Sequence, residues 1–325
     1  MENQGNSSKI LFIVNVFAAS KKAGAMWERA VSLLNTTRIA YHKRLTGRNG
    51  NAMELAYDAC VCGYRKIVAV GGDGTVHDVL NGIMQFVAEC TVSGHPLSLD
   101  EFTIGVLPVG SGNDWIKSHG IPSDFSKAIE VIAAGRTVKQ DVVRVSVIDA
   151  AGNSLSDSYM ANVGGVGLDA RVCERVNRNK ERGRRGKKLY VSALLYHLFH
   201  RKPVSVKLVC DDRTVYEGPY LSIAFGIGKY SGGGMRQTPS AVPDDGFLDV
   251  TLIPELPVMK IAKEAPKLFT GTFDTVPELA VAKCRSVTVI PEKSAKEPVE
   301  VDGEVIGTAP VRLEVIDKQI NVFAP

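Results

Sequence analysis

The 325-residue sequence lacks the features that mark several large protein classes. Its six cysteines, at positions 60, 62, 90, 173, 210 and 284, form no C-x-x-C pair and have no histidine at zinc-ligand spacing. That argues against a zinc module or a disulfide framework and for thiols kept reduced. Met1-Glu2-Asn3-Gln4 lacks the basic start of a signal peptide. The longest apolar run, around Ile10 to Ala19, falls short of the ~20 residues needed to span a bilayer. The reading is a cytoplasmic protein. No internal repeat or low-complexity tract interrupts the chain. An apolar fraction of 45% fits a soluble globular protein, and the length admits two domains at ~100–200 residues each. The net charge of +4 is small but unevenly spread.

One stretch organises what is present. In Lys66-Ile67-Val68-Ala69-Val70-Gly71-Gly72-Asp73-Gly74-Thr75, a short β-branched run reads as a buried strand ending in three glycines within four positions. Val76, Val79, Leu80, Ile83, Met84 and Val87 then recur at helical spacing as one apolar stripe. A strand, a turn without Cβ atoms and a helix N-terminus together make a seat for phosphate, because unpaired N–H groups and the positive end of the dipole face the anion. The plainer alternative is a tight turn capped by Asp73 or Thr75, with Thr75 and Asp78 at capping-box spacing. A Walker loop is excluded, since no Gly-Lys-Ser/Thr follows.

The remaining N-terminal segments repeat this β–turn–α rhythm. Ile10 to Val14 is a strand ending at Asn15, followed by a small-residue loop over 18–24 and a helix from about Trp27. Asn15 either ends the strand or faces a ligand at its carboxyl end. A second unit ends at Thr46, a turn residue or a phosphate-facing hydroxyl. Thr103 to Leu107 leads into a second glycine turn, Pro108-Val109-Gly110-Ser111-Gly112-Asn113-Asp114, and a helix over 123–134 closes at Gly135. Repetition of this kind predicts a parallel, doubly wound sheet. From about Lys139 the pattern alternates instead, at 141–148, 204–209, 221–225, 248–252 and 286–290, with few helices between, as in an antiparallel sandwich. The fold class is therefore α/β plus all-β: a Rossmann-like nucleotide domain over 1–138 and a β-sandwich over 139–308, with the tail 309–325 packing back on the first.

Gly165-Val166-Gly167-Leu168-Asp169-Ala170 fits a loose dinucleotide pattern, but a basic run stands where the ribose-binding acid should lie, so this reading is rejected. That run, 171–188, carries a net +7 and leaves the rest at −3. An apolar, aromatic-bearing helix over 189–199 follows. The pair suits an anionic membrane surface or, equally, a solvated loop beside a core helix; nucleic acid is disfavoured because no aromatic platform interleaves the charge. Pro243-Asp244-Asp245-Gly246-Phe247 could hold a divalent cation or form a plain hairpin turn. Val301-Asp302-Gly303-Glu304 reads as a hairpin turn whose two carboxylates could share one site, one taking a hydroxyl proton and the other binding Mg²⁺.

Taken in order, the block from Gly71 to Gly82, the block Leu107 to Asp114, Asp245-Gly246-Phe247-Leu248-Asp249-Val250 and Val301-Asp302-Gly303-Glu304 resemble the bacterial diacylglycerol kinase-like lipid kinases, relatives of sphingosine and ceramide kinases. The resemblance covers nearly the whole chain and implies an ATP-dependent phosphotransferase acting on a lipid hydroxyl in a cleft between domains. Asn15, Thr46, Gly71, Gly72, Asp73, Gly74, Thr75, Val76, His77 and Ser111 would contact ATP. Glu304 would sit at the nucleotide and catalytic metal, and Asp302 would be the general base. Asp245, with the carbonyls of Val242 and Phe247, would hold a structural Mg²⁺. His77 and Asp78 replace the family's asparagine and glutamate, and Val16 replaces its first-loop proline. Diacylglycerol is the acceptor this reading takes first, ahead of a sphingoid base or ceramide. A kinase for NAD and a non-catalytic nucleotide or lipid sensor are the rivals. The implied setting is peripheral, at the inner membrane surface, with a homodimer allowed.

Overall fold

The computed structural model describes residues 6–18, 22–37, 39–47, 50–110, 112–182, 187–200, 202–292 and 295–325. The chain divides into two compact units, residues 1–142 with 317–325, and residues 143–316.

In the first unit, strands and helices alternate: β1 (Ile10–Val14), α1 (Lys22–Leu34), β2 (Tyr41–Leu45), α2 (Ala52–Val61), β3 (Lys66–Gly71), α3 (Asp73–Val92), β4 (Thr103–Pro108), α4 (Trp115–Ser118) and α5 (Phe125–Ala134). The strands run parallel in the order β2-β1-β3-β4, with Ile10 opposite both Tyr41 and Lys66, and Lys66 opposite Thr103. Near-continuous apolar runs in β1, β3 and β4 follow from helices covering both faces. Phe12 and Val14 pack with Trp27 and Leu34 of α1 and Ile129 and Ile132 of α5. α2 and α3 pack together through Gly82, where a Cβ would lie 2.3 Å from the Met53 carbonyl oxygen. α5 is capped by Asp124, whose carboxylate accepts the Lys127 N–H, and ends at Gly135 with φ 69°. α1 starts at Lys22, earlier than the Trp27 start read from its apolar residues; positions 19–21 of the expected small-residue loop lie outside the described residues.

β5 (Thr137–Ile148) carries the chain into the second unit. There follow β6 (Ser154–Met160), β7 (Val163–Gly167), α6 (Leu168–Glu181), α7 (Lys187–His200), β8 (Val204–Cys210) and β9 (Arg213–Gly226). Next come β10 (Tyr230–Ser231), β11 (Met235–Arg236), β12 (Leu248–Pro254), α8 (Val258–Glu264), α9 (Lys267–Thr270), β13 (Ala280–Cys284) and β14 (Ser286–Pro291). The last are β15 (Pro298–Val301), β16 (Glu304–Thr308) and β17 (Val311–Phe323). The long strand β9 serves two neighbourhoods. Its first half pairs with β8, and its second half lies between β7 and β12. One layer runs β16-β15-β7-β9-β12-β13, the other β9-β8-β14-β17-β5-β6. Val143, Val145, Val166, Leu208, Phe225, Val250, Val289, Val301 and Leu313 fill the core between them. This is the antiparallel sandwich that alternation predicts.

Residues 309–316, read from sequence as part of the returning tail, group with the second unit because Val311, Leu313 and Val315 alternate into its core. Only the end of β17 returns, with Asn321 and Val322 parallel to Thr103 and Ile104 of β4. The expectation of few helices in this half misses α6, while the helix read over 189–199 is α7; the two pack through Leu168, Val172 and Ala193 against Leu221. Much of the basic run is thus helix; positions 183–186 lie outside the described residues. No helix among the described residues is long and apolar enough to cross a membrane.

Candidate active site

The glycine turn after β3 is shaped by what glycine omits. A Cβ on Gly71 would stand 2.2 Å from Thr75 Oγ1. Gly72 and Gly110 bring the two glycine turns together, since a Cβ on Gly110 would lie 2.9 Å from Gly72 Cα. The Val109 N–H donates to the Gly71 carbonyl at 2.8 Å, and Asn113 closes the second turn by exchanging hydrogen bonds with the Gly110 N–H and C=O, 3.0 Å each.

Neither Asp73 nor Thr75 is the cap of α3. Gly72 takes that position, and no side chain caps the helix. Asp73 reaches across instead, accepting the N–H groups of Asp114 (3.1 Å) and Trp115 (3.0 Å). Its carboxylate braces the second turn against the first, so it does not by itself distinguish a kinase from a sensor. Thr75 Oγ1 accepts from Asn15 Nδ2 at 3.2 Å, which ties the end of β1 to the glycine turn. Val76 and His77 are buried side chains, and the His77 carbonyl accepts from Asn81 Nδ2 at 2.9 Å. Ser111 lies outside the described residues.

Thr46 carries the sharpest sign of an absent ligand. Its side chain is buried, and among the described residues Oγ1 has no hydrogen-bond partner. An orphan of this kind costs about 1–3 kcal/mol. A phosphate-rich nucleotide fits what is here: a turn without Cβ atoms, an uncapped helix start and an unsatisfied hydroxyl, grouped at the carboxyl ends of parallel strands.

In the second unit, Asp302 and Gly303 form the two-residue turn of the β15–β16 hairpin, with φ 52° and 90°. Two positive φ values are the pattern that Asp-Gly serves in a hairpin. The Asp302 carboxylate accepts the N–H groups of Ala161 (2.8 Å) and Asn162 (2.9 Å), so it is aimed by main chain remote in sequence. The next peptide is held at both ends. Glu300 Oε2 accepts the Gly303 N–H at 3.0 Å, while Cys173 Sγ and Asn177 Nδ2 of α6 donate to its carbonyl at 2.9 and 3.0 Å. Glu304 is exposed beside this turn.

Two acids underlie the hairpin, Glu300 buried and Asp169 half-buried. Gly165 separates them: a Cβ there would be 3.4 Å from Asp169 Cβ and 3.5 Å from Glu300 Oε1. Burial pushes both carboxyls up, Glu300 well above the glutamate range, although the Gly303 N–H pulls the other way. Asp169 accepts from Ser222 Oγ (2.9 Å) and Gln237 Nε2 (2.8 Å). The glycines of this segment therefore serve packing, Gly167 (φ 94°) lying against the Tyr220 ring.

The expected structural Mg²⁺ site is arranged differently. Asp245 Oδ1 accepts the Phe247 N–H at 3.0 Å, and Oδ2 is ion-paired with Lys283 Nζ at 2.5 Å. Val242 and Phe247 are exposed side chains of the same loop. No group of three or more His, Cys, Asp or Glu among the described residues gathers as a metal centre. With an ammonium already on the one carboxylate that was to bind it, the loop does not fit a divalent cation. Along the basic helix α6, Arg171 pairs with buried Glu297 at 2.6 Å, and the Arg175 guanidinium lies 3.9 Å from the Tyr196 ring centre.

Residues 9–145 match the diacylglycerol kinase catalytic domain, and residues 162–324 match the YegS C-terminal NAD kinase beta sandwich-like domain. The chain belongs to the diacylglycerol kinase-like lipid kinase family. It is 28% identical over 87% of its length to a protein of Stenotrophomonas maltophilia named "Probable lipid kinase YegS-like", covering 86% of that protein. It is 25% identical over 86% of its length to a Diacylglycerol kinase of Staphylococcus epidermidis, covering 80% of it. A crystal structure of a diacylglycerol kinase from Bacillus anthracis str. Sterne matches with TM-score 0.74 at 22% identity, covering 98% of this chain and 97% of that one; this likeness bears on the fold.

Proposed function

We propose that the protein transfers the γ-phosphoryl group of ATP to the hydroxyl of a membrane lipid, with diacylglycerol as the first acceptor to test. The observation that carries this reading is Asp302. A carboxylate lifted on a positive-φ turn, with both oxygens oriented by N–H groups, is a fixed acceptor for a hydroxyl proton. Fixing it is what such chemistry needs, since phosphoryl transfer depends mainly on positioning and on spreading charge. The main chain from Gly71 to Thr75 and the Thr46 hydroxyl hold the phosphates, and Asn15 steadies Thr75. Glu304, exposed beside the turn, would hold Mg²⁺ together with the nucleotide, and the ion would supply neutralisation of the phosphate oxygens.

The acceptor belongs to a bilayer, and α7 offers an apolar face to meet one. Leu195, Tyr196 and Phe199 are 49%, 43% and 65% exposed beside the basic helix α6. Positive charge there contributes about 1 kcal/mol per side chain near anionic headgroups. Phe199→Glu is expected to weaken flotation with anionic vesicles.

Asp302→Asn tests the base. The amide keeps the shape and still accepts one of the two N–H groups but cannot take the proton, so turnover is expected to fall at least ~10²-fold with ATP affinity nearly unchanged. Normal turnover in that variant would remove Asp302 from the mechanism.

A further inference from the structure

Asp249 and Lys283 are directly opposite each other in the β12–β13 ladder, so Lys283 is placed by strand register. Its ammonium lies 2.5 Å from Asp245 Oδ2 and 3.9 Å from Asp249 Oδ2, and 5.7 Å from the centre of the Phe247 ring. Among the described residues Asp249 Oδ2, which is buried, has no hydrogen-bond partner, and the Lys283 ammonium is the cation paired with it. Asp274 adds a third carboxylate to this neighbourhood, while Lys229 adds a more distant positive charge. Without Lys283, the carboxylates of Asp245 and Asp249, 2.5 and 3.9 Å from its ammonium, would lose the cation they share. Like charges at such range repel strongly where water is partly excluded.

We propose that Lys283 is a built-in cation: its ammonium neutralises Asp245 and Asp249 in place of a divalent metal, so the second unit is stable without one. A covalently tethered ammonium needs no ion from solution and loses little entropy on docking, because the strand already positions its stem. A divalent ion approaching Asp245 Oδ2 would have to displace it. This inference does not depend on the lipid-kinase reading, and its test is made without turnover.

The experiment is thermal unfolding of the full chain, without nucleotide, in excess EDTA and in millimolar Mg²⁺. Wild-type protein is expected to melt at the same temperature in both. Lys283→Met is expected to melt about 3–6 °C lower in EDTA and to recover in Mg²⁺, since a ligand that binds only the folded state raises its stability. The recovery should vanish when Asp245→Asn is added. A Lys283→Met chain that folds only with Mg²⁺ counts as the same result. Lys283→Arg, which keeps the charge, should remain indifferent to the metal. The proposal is overturned if Mg²⁺ raises the wild-type melting temperature and Asp245→Asn abolishes that rise. It is equally overturned if Lys283→Met melts like wild type in EDTA, or if Lys283→Arg becomes metal-dependent.

Discussion

Asp73 stands in the middle of the glycine turn, yet its carboxylate is used as a brace, and replacing it separates the two roles. Oδ1 and Oδ2 accept the N–H groups of Trp115 and Asp114. Both donors belong to residues only 2% and 4% exposed, so water replaces the lost acceptor poorly. Hydrogen bonds to a charged acceptor are each worth about 1.5–3 kcal/mol. Allowing for partial relaxation, Asp73→Ala should destabilise the first unit by about 2–4 kcal/mol. At roughly 2–4 °C per kcal/mol for a unit of this size, melting should fall by about 4–16 °C. The assay is convenient because the only two tryptophans, Trp27 and Trp115, both lie in the first unit. Intrinsic fluorescence therefore follows that unit selectively. Asp73→Asn should lose about half as much, because its amide oxygen still accepts one N–H while its NH₂ opposes the other. ATP binding should weaken alongside stability, since Asp73 holds the second turn against the first. Should Asp73→Ala melt like wild type and lose only turnover, the carboxylate acts on the substrate and the brace is wrong.

Thr46→Val removes an unsatisfied hydroxyl at nearly constant shape, so without ligand the variant should be about 1 kcal/mol more stable. Its ATP affinity, measured by calorimetry, should fall several-fold; a parallel loss of both would mean that the hydroxyl already has an internal partner. Glu300 has its carboxyl raised from the ordinary 4.5 by burial. The folded chain therefore keeps a proton that the unfolded chain releases, and stability falls as pH rises from about 4.5 towards the folded value, by at most ~1.4 kcal/mol per pH unit. Glu300→Gln retains an acceptor for the Gly303 N–H and should flatten that slope in urea titrations at several pH values. Equal slopes would show Glu300 to be ionised in the folded protein.

The two architectures were legible because each leaves a period in the chain. Strands buried on both faces read as runs such as Ile67–Val70, and half-buried ones alternate, as in Val204–Val209. The turn residues were legible too, because Asp-Gly and clustered glycine mark positive φ and close approach. What stayed hidden depends on pairing across distance. Nothing near Asp73 points to Asp114 and Trp115 some forty positions on, and nothing near Asp302 points to Ala161 and Asn162. Lys283 met Asp245 and Asp249 only once the β12–β13 register was fixed. The basic run looked like a possible loop because its charges obscure the apolar spacing of Leu168, Val172 and Val176 that docks α6.

The proposed function joins the glycine turn and Asp302 in one reaction on a lipid alcohol. Labelled ATP with mixed micelles of diacylglycerol, a sphingoid base or ceramide, and with NAD in a parallel tube, tests it directly. A labelled phospholipid product from wild type, absent with Asp302→Asn, is the predicted result. Label in NAD alone, or in no acceptor while ATP still binds, would contradict it.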